Sequence, residues 1–294
     1  MELLSVNDFA SVSSFFKGAR GQRRAEFIMH MCAVDKLNQV YERSDAYSGT
    51  EFSARFLNDL GVNYIIGNPE RFSMLPEGAF ITVSNHPFGM LDGIIMVDLM
   101  TRVRHDYKFM VNRVLSRVKP FEGNFIAVTP VNRNTQRVTG ASLQGVRETM
   151  RHLREGHPMG FFPAGAVSDF SLRDLSIEDR PWQPSILRLI HAARVPVLPV
   201  RFFDGNSPFF YLLGLISWRI RVLRMPSELF NKKKKDIRIG IGNPISVEEQ
   251  ERFDDPEALG AFLRKTIYDM PMPASFVSRS HFDTTKKPWQ INSV

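Results

Sequence analysis

The stretch Ala79-Phe80-Ile81-Thr82-Val83-Ser84-Asn85-His86-Pro87-Phe88-Gly89-Met90-Leu91-Asp92 decides how the chain is read. Phe80 to Val83 is a short run of β-branched and aromatic residues, the composition of a buried strand. Ser84-Asn85 end that run. From Met90 to Met100 the chain is almost uniformly apolar, interrupted by Asp92, Gly93 and Asp98, as a mostly buried helix is. A histidine and a carboxylate therefore stand where a strand hands over to a helix, the usual place for ligands and chemistry in an open α/β sheet.

Their spacing limits the geometry. On one regular helix, residues six apart point about 240° away from each other and lie about 9 Å apart along the axis, so His86 and Asp92 would not touch. Contact requires His86 to lie off the helix, on a loop turned by Pro87 and Gly89, with the helix starting near Phe88 to Met90. The other reading of the stretch is a strand-end histidine and a first-turn aspartate stabilised by the helix dipole. The stretch alone leaves both open.

Working outward, residues 5 to 61 read as helical. Phe27, Ile28, Met31, Val34, Leu37, Val40 and Tyr41 recur at helical spacing, and Phe52, Phe56 and Leu57 repeat the pattern. Ser48 or Thr50 is placed to cap the second helix and Gly61 to end it. Strands are expected at Val62 to Ile66, Lys108 to Val111, Phe125 to Val128, Met159 to Phe162, Val195 to Val200 and Ile237 to Ile241. Pro196 and Pro199 suggest an edge or sheet margin for the fifth of these. Helices are expected at Ser142 to Arg154, Ser185 to Ala192 and 247 to 269. Strands alternating with helical patterns predict an α/β fold, a central, largely parallel sheet flanked by helices. The expected divisions are an N-terminal helical segment, 1–61, packed on the core, an α/β domain, 62–270, and a poorly ordered C-terminal tail, 271–294.

The net charge of +7 and pI near 9.6 call for an anionic partner. With no arginine-rich segment, zinc spacing or paired-aromatic RNA motif, nucleic acid is not expected. The single cysteine, Cys32, excludes an internal disulfide and suggests a reducing compartment. No signal peptide and no run of about 18 apolar residues are evident, so membrane contact is expected to be peripheral. One segment suits such contact: Phe209, Phe210, Tyr211, Leu212, Leu213, Leu215, Ile216 and Trp218 crowd together ahead of Arg219, Arg221, Arg224 and Lys232 to Lys235. An apolar, aromatic segment with a basic flank fits docking on anionic lipid. A buried helix followed by a solvated basic loop is the alternative.

Asn85 to Asp92, then Phe162-Pro163-Ala164-Gly165-Ala166-Val167-Ser168, then Val195-Pro196-Val197-Leu198-Pro199-Val200 occur in the order of blocks that resemble the glycerolipid acyltransferase superfamily, which includes the lysophosphatidic acid acyltransferases. Gly242-Asn243-Pro244-Ile245 looks like the family's terminal strand turn, so the resemblance spans about residues 60 to 246. Two departures stand out. Five residues separate His86 from Asp92 where the usual pattern has four, which resembles a divergent, hemolysin-like or aminolipid-synthesis branch of bacteria. The family's Phe-Pro-Glu-Gly-Thr-Arg reads Phe-Pro-Ala-Gly-Ala-Val here, so Ala164 and Val167 replace a glutamate and the arginine thought to hold an acceptor phosphate.

The resemblance implies an O-acyltransferase of membrane lipid biosynthesis, carrying a fatty acyl group from an acyl thioester to the hydroxyl of a lysophospholipid or lyso-aminolipid. His86 is then the base and Asp92 its orienting partner. Asn85, Gly89, Arg133, Phe162, Pro163, Gly165 and Ser168 are the expected substrate-binding residues, with Arg133 a substitute for the missing cation and N–H groups around Gly165 the expected oxyanion donors. No cofactor or metal is implied; acyl carrier protein or coenzyme A carries the acyl group as co-substrate. The implied location is cytoplasmic, peripheral to the inner face of the cell membrane. Two competing functions are a non-enzymatic lipid-binding protein that kept the fold, and a serine hydrolase using Ser84 or Ser168, neither of which lies in a Gly-x-Ser-x-Gly elbow.

Overall fold

A computed structural model describes residues 3–7, 10, 16–112, 118–128 and 140–282 of the chain, with the side chains of 140–142 left aside. In chain order its main elements are helices α1 (Gly18–Met31), α2 (Val34–Ser44) and α3 (Gly49–Leu60), then β1 (Asn63–Gly67), β2 (Ile81–Ser84), α4 (Met90–Val103), β3 (Lys108–Asn112) and β4 (Phe125–Val128). Next come α5 (Gly140–Arg154), β5 (Met159–Phe161), the hairpin strands β6 (Asp169–Ser171) and β7 (Ser176–Glu178), α6 (Pro184–Ala193) and β8 (Val197–Phe202). The chain continues through α7 (Pro208–Ile216), α8 (Trp218–Phe230), β9 (Asp236–Ile241), the short α9 (Val247–Gln250), α10 (Pro256–Tyr268) and β10 (Phe276–Ser278).

The main sheet has the order β10-β1-β9-β8-β2-β5-β3-β4. Pairing is parallel except at β10 against β1 and at β8 against β9. Helices cover both faces, and the strands sort their side chains between them with a period of two. Phe109 and Val111 of β3, and Leu198 and Val200 of β8, pack with Phe52, Phe56, Leu91 and Ile95 of α3 and α4. Met110, Val197, Ile81 and Val83 pack on the other face with Leu153 of α5, Leu187 and Ile190 of α6, and Leu259 and Leu263 of α10.

Three expectations are corrected. The periodic run from Phe27 to Tyr41 is two helices, because Ala33 adopts a left-handed conformation (φ 60°) between α1 and α2, and Phe27 and Met31 end up exposed. The strand holding Pro199 is interior, between β9 and β2. Pro199 is tolerated there because its carbonyl accepts from Gly242 N (2.8 Å) on the β9 side, where β9 has already ended at Ile241, so no ladder bond needs the missing N–H. The segment from 271 was expected to be poorly ordered, yet Phe276–Ser278 adds an antiparallel edge strand to β1.

That edge is held by a buried polar cluster. Asp98 on α4 is fully buried, accepts from Tyr64 Oη (2.7 Å) and from Arg102 Nη2 (3.1 and 3.3 Å), and lies 3.8 Å from Arg279 Nε. Arg279, directly after β10, also donates to Ala54 O on α3 (3.1 Å). Removing one member of a buried ion pair strands the rest, at a typical cost of about 3–5 kcal/mol. Asp98→Ala is expected to lower the free energy of unfolding by that amount, seen as a lower urea midpoint with the slope unchanged, measured by circular dichroism.

Candidate active site

β2 ends at Ser84, and the next five residues are fixed group by group. The Asn85 side chain acts as an extra strand residue: its Nδ2 donates to Phe202 O (2.9 Å) and its Oδ1 accepts from Phe202 N (2.8 Å) on β8. Pro87 O accepts from Asn206 Nδ2 at 3.0 Å. Phe88 N and Gly89 N both donate to Asp92 Oδ2, at 2.9 and 3.0 Å. Gly89 caps α4 at φ 83°, where a Cβ would meet Met225 Sδ and Val167 Cγ2 at 2.9 and 3.0 Å, so a glycine is needed both for the turn and for the close approach.

With α4 starting at Met90, His86 lies off the helix as the spacing required, and Asp92, in the first turn, reaches back to it. His86 Nδ1 is 2.8 Å from Asp92 Oδ2, a hydrogen-bonding distance reached off the direct line of the ring N–H. The ring stacks on Phe162, with centroids 4.0 Å apart and planes 16° from parallel. Asp92 is fully buried, and that burial pushes its carboxyl above the usual carboxylate range, against the opposing pull of His86 and the Phe88 and Gly89 N–H groups. His86 Nε2 has no hydrogen-bond partner among the described residues. An imidazole held at Nδ1 by a carboxylate with Nε2 free can accept a proton there.

The second block stands against the first. Ser168 N donates to His86 O (2.9 Å), and the Ser168 hydroxyl donates to Asp179 Oδ1 at 2.7 Å. Gly165 (φ 63°) turns the block, and its N–H is taken by Phe162 O at 2.9 Å, so that group is not free for an oxyanion. Pro163 O accepts from Gln183 N (2.9 Å). The loop carrying Arg133 lies outside the described residues. Where Val167 lacks a cation, two arrive from elsewhere: Arg221 of α8, almost fully buried, donates to Ser168 O (3.2 Å) and pairs with Asp169, which also pairs with Arg180.

A groove of about 1470 Å³ opens beside this block, lined by Ala164, Gly165, Asp179, Trp182, Ile186 and Met110 among others. Its lining is apolar at Met110, Trp182 and Ile186 and charged at residues such as Asp174, Glu178, Arg188 and Arg264, and His86 is not part of it. A smaller cavity, about 310 Å³, at the start of β3 holds His105, His152 and His157 and none of the expected site residues. Among the described residues, no cluster of three or more His, Cys, Asp or Glu is placed to hold a metal ion, and no helix is long and apolar enough to cross a membrane.

Sequence reasoning brought together His86, Asp92, Gly89, Phe162 and Ser168, which the structure places in contact. It assigned Asn85 and Ser168 to substrate, whereas the Asn85 amide is spent on β8 and the Ser168 hydroxyl on Asp179. It missed Asp179, Asn206 and Arg221, whose relation to His86 exists only across the sheet.

Residues 27–272 match a family described as acyltransferase. The chain is 25% identical over 246 residues to "Lyso-glycine lipid O-acyltransferase" of Bacteroides thetaiotaomicron, covering 80% of this chain and 85% of that one. It is 24% identical to the protein of the same name from Phocaeicola vulgatus, over 83% and 86% of the two chains. Among solved structures it is similar to the 1-acyl-sn-glycerophosphate acyltransferase PlsC of Thermotoga maritima, with a TM-score of 0.46 and 13% identity over 90% of this chain and 92% of that one. The family match runs from α1 to beyond α10 and takes in all the blocks around His86, so the chain belongs to the acyltransferase family and is an acyltransferase.

Proposed function

We propose that this acyltransferase moves a fatty acyl group from a thioester of acyl carrier protein or coenzyme A to the hydroxyl of a lyso-glycine lipid. The observation that carries the reading is the His86 ring, fixed on one edge by buried Asp92 and on one face by Phe162, with Nε2 unpartnered. Nε2 takes the proton of the acceptor hydroxyl as its oxygen attacks the thioester carbonyl. The tetrahedral intermediate then expels the thiolate, which receives that proton from the imidazolium. Asp92 keeps the Nδ1–H form and offsets the charge on the ring while the proton is held. Two further points favour an acceptor without phosphate. Ala164 and Val167 carry no charge, and the nearby guanidiniums of Arg221 and Arg180 are shared with Asp169, leaving one net positive charge on the three. A single carboxylate balances that better than a phosphate does. Both named relatives, moreover, act by name on a lyso-glycine lipid.

The second partner in this reading is an anionic membrane surface on the cytoplasmic side. Leu212, Ile216, Trp218 and Ile220 at the α7–α8 turn are exposed, Ile216 by 77%, with Arg219 beside them. The basic flank is smaller than the sequence suggested, because Lys232 is buried against Glu228 (3.2 Å) and only Lys233 to Lys235 are exposed.

Three outcomes are expected. Given labelled acyl-carrier-protein or acyl-coenzyme A, the purified protein acylates lyso-glycine lipid faster than lyso-ornithine lipid or lysophosphatidic acid. His86→Ala lowers kcat by about 10²- to 10⁴-fold while the thermal melt is kept, and full activity in that variant would remove the base. For the membrane, Ile216→Ser with Trp218→Ser should reduce co-sedimentation with vesicles containing anionic lipid, while activity on detergent-dispersed substrate is unchanged. Binding equal to the parent's would discard the turn as the contact.

A further inference from the structure

The main-chain N–H of His86 is held by a segment that neither the composition nor the blocks singled out, and its carbonyl by Ser168 of the second block. Asp179 lies between β7 and α6 and is 4% exposed. One of its oxygens, Oδ1, accepts both the His86 N–H (3.0 Å) and the Ser168 hydroxyl (2.7 Å), while Ser168 N–H returns to His86 O (2.9 Å). The three bonds close a ring through His86, Ser168 and Asp179. Asp179 is anchored in turn: its own N–H donates to Tyr268 Oη on α10 (2.8 Å), and Arg264 on the same helix lies close enough to act on its charge. Its second oxygen, Oδ2, is buried without a hydrogen-bond partner among the described residues.

This is a costly way to fill space. A buried carboxylate with one unsatisfied oxygen is less favourable than an apolar side chain of the same size. What it supplies is one acceptor reached from two directions, at the point where the strand gives way to the loop. An imidazole base depends on such placement, since a shift of about 1 Å can cost about 10²-fold in rate. Asp92 and Phe162 fix the ring's edge and face, but neither holds the His86 backbone from which the ring projects.

We propose that Asp179 is a positioning residue of the acyltransferase site, holding the main chain of His86 through Oδ1 so that the ring is delivered between Asp92 and Phe162. It touches no reacting atom in this account, and the inference rests on the reading of His86 as the base.

The test is steady-state kinetics of the full-length protein on lyso-glycine lipid and acyl-coenzyme A, with Asp179→Ala, Asp179→Asn and His86→Ala compared side by side. Asp179→Ala should lower kcat about 10- to 100-fold, with KM for both substrates within about twofold of the parent. Asp179→Asn keeps an oxygen for the two donors and should recover most of the lost kcat, which a residue acting by its charge would not allow. A parent-like kcat in Asp179→Ala, equal losses in the Ala and Asn variants, or a rise in KM at constant kcat would each overturn the proposal. Should Asp179→Ala fail to fold, Asp179→Leu, which fills the space without an acceptor, takes its place with the same expected and overturning outcomes. The two levels separate cleanly. An active His86→Ala removes the base reading, whereas an inactive His86→Ala beside a parent-like Asp179→Ala removes only the positioning role.

Discussion

One carboxylate oxygen organises the loop on which this protein's chemistry is expected to turn. Asp92 Oδ2 takes the N–H groups of Phe88 and Gly89 and lies 2.8 Å from His86 Nδ1, with the whole side chain out of solvent. The bond from Gly89 satisfies the N-cap N–H that a helix start otherwise leaves open, the task of a residue at the third helical position, and the bond from Phe88 ties down the residue before the cap. Capping the helix and orienting the histidine are thus one arrangement. The energy that starts α4 also sets the ring, and the groups converging on Oδ2 offset only part of the cost of burying the charge, since the carboxyl stays above its usual range and Oδ1 has no hydrogen-bond partner among the described residues.

Around that centre the protein treats the histidine loop as part of the sheet. Asn85 extends β2 sideways onto β8, Asn206 holds Pro87, and the Phe162–Ser168 block lies along the other side of the loop. Positive charge near the block comes from α8 and from the segment after β7 rather than from the block itself, and it is partly cancelled by Asp169. The groove beside the block is lined by apolar and charged side chains together.

The parts of this arrangement legible in the sequence were those governed by local rules. Phe80 to Val83 is a strand because β-branched and aromatic residues pack on a pleated surface. The six-residue offset of His86 from Asp92 forced the histidine off the helix, and Gly89 supplied the left-handed cap that makes this possible. Gly61 ended α3 for the same reason. What could not be read depends on which segments become neighbours. Pro199 looked like an edge residue because the sequence does not say that β9 stops before reaching it. Lys232 looked solvated because Glu228, one helical turn back, is buried only once α8 packs. Asp179 resembles any loop aspartate until the sheet carries it under His86, and the edge strand at Phe276 exists only because β1 leaves a side unpaired.

The central claim is that Asp92 fixes the His86 imidazole in the form protonated at Nδ1, leaving the Nε2 lone pair for the substrate proton. The most direct measurement is the ¹⁵N chemical shift pair of His86 in ring-labelled protein near neutral pH, assigned by comparison with the His86→Ala variant. The account predicts a protonated, pyrrole-like Nδ1 and an unprotonated, pyridine-like Nε2. The reverse pattern, with the proton on Nε2, would contradict it.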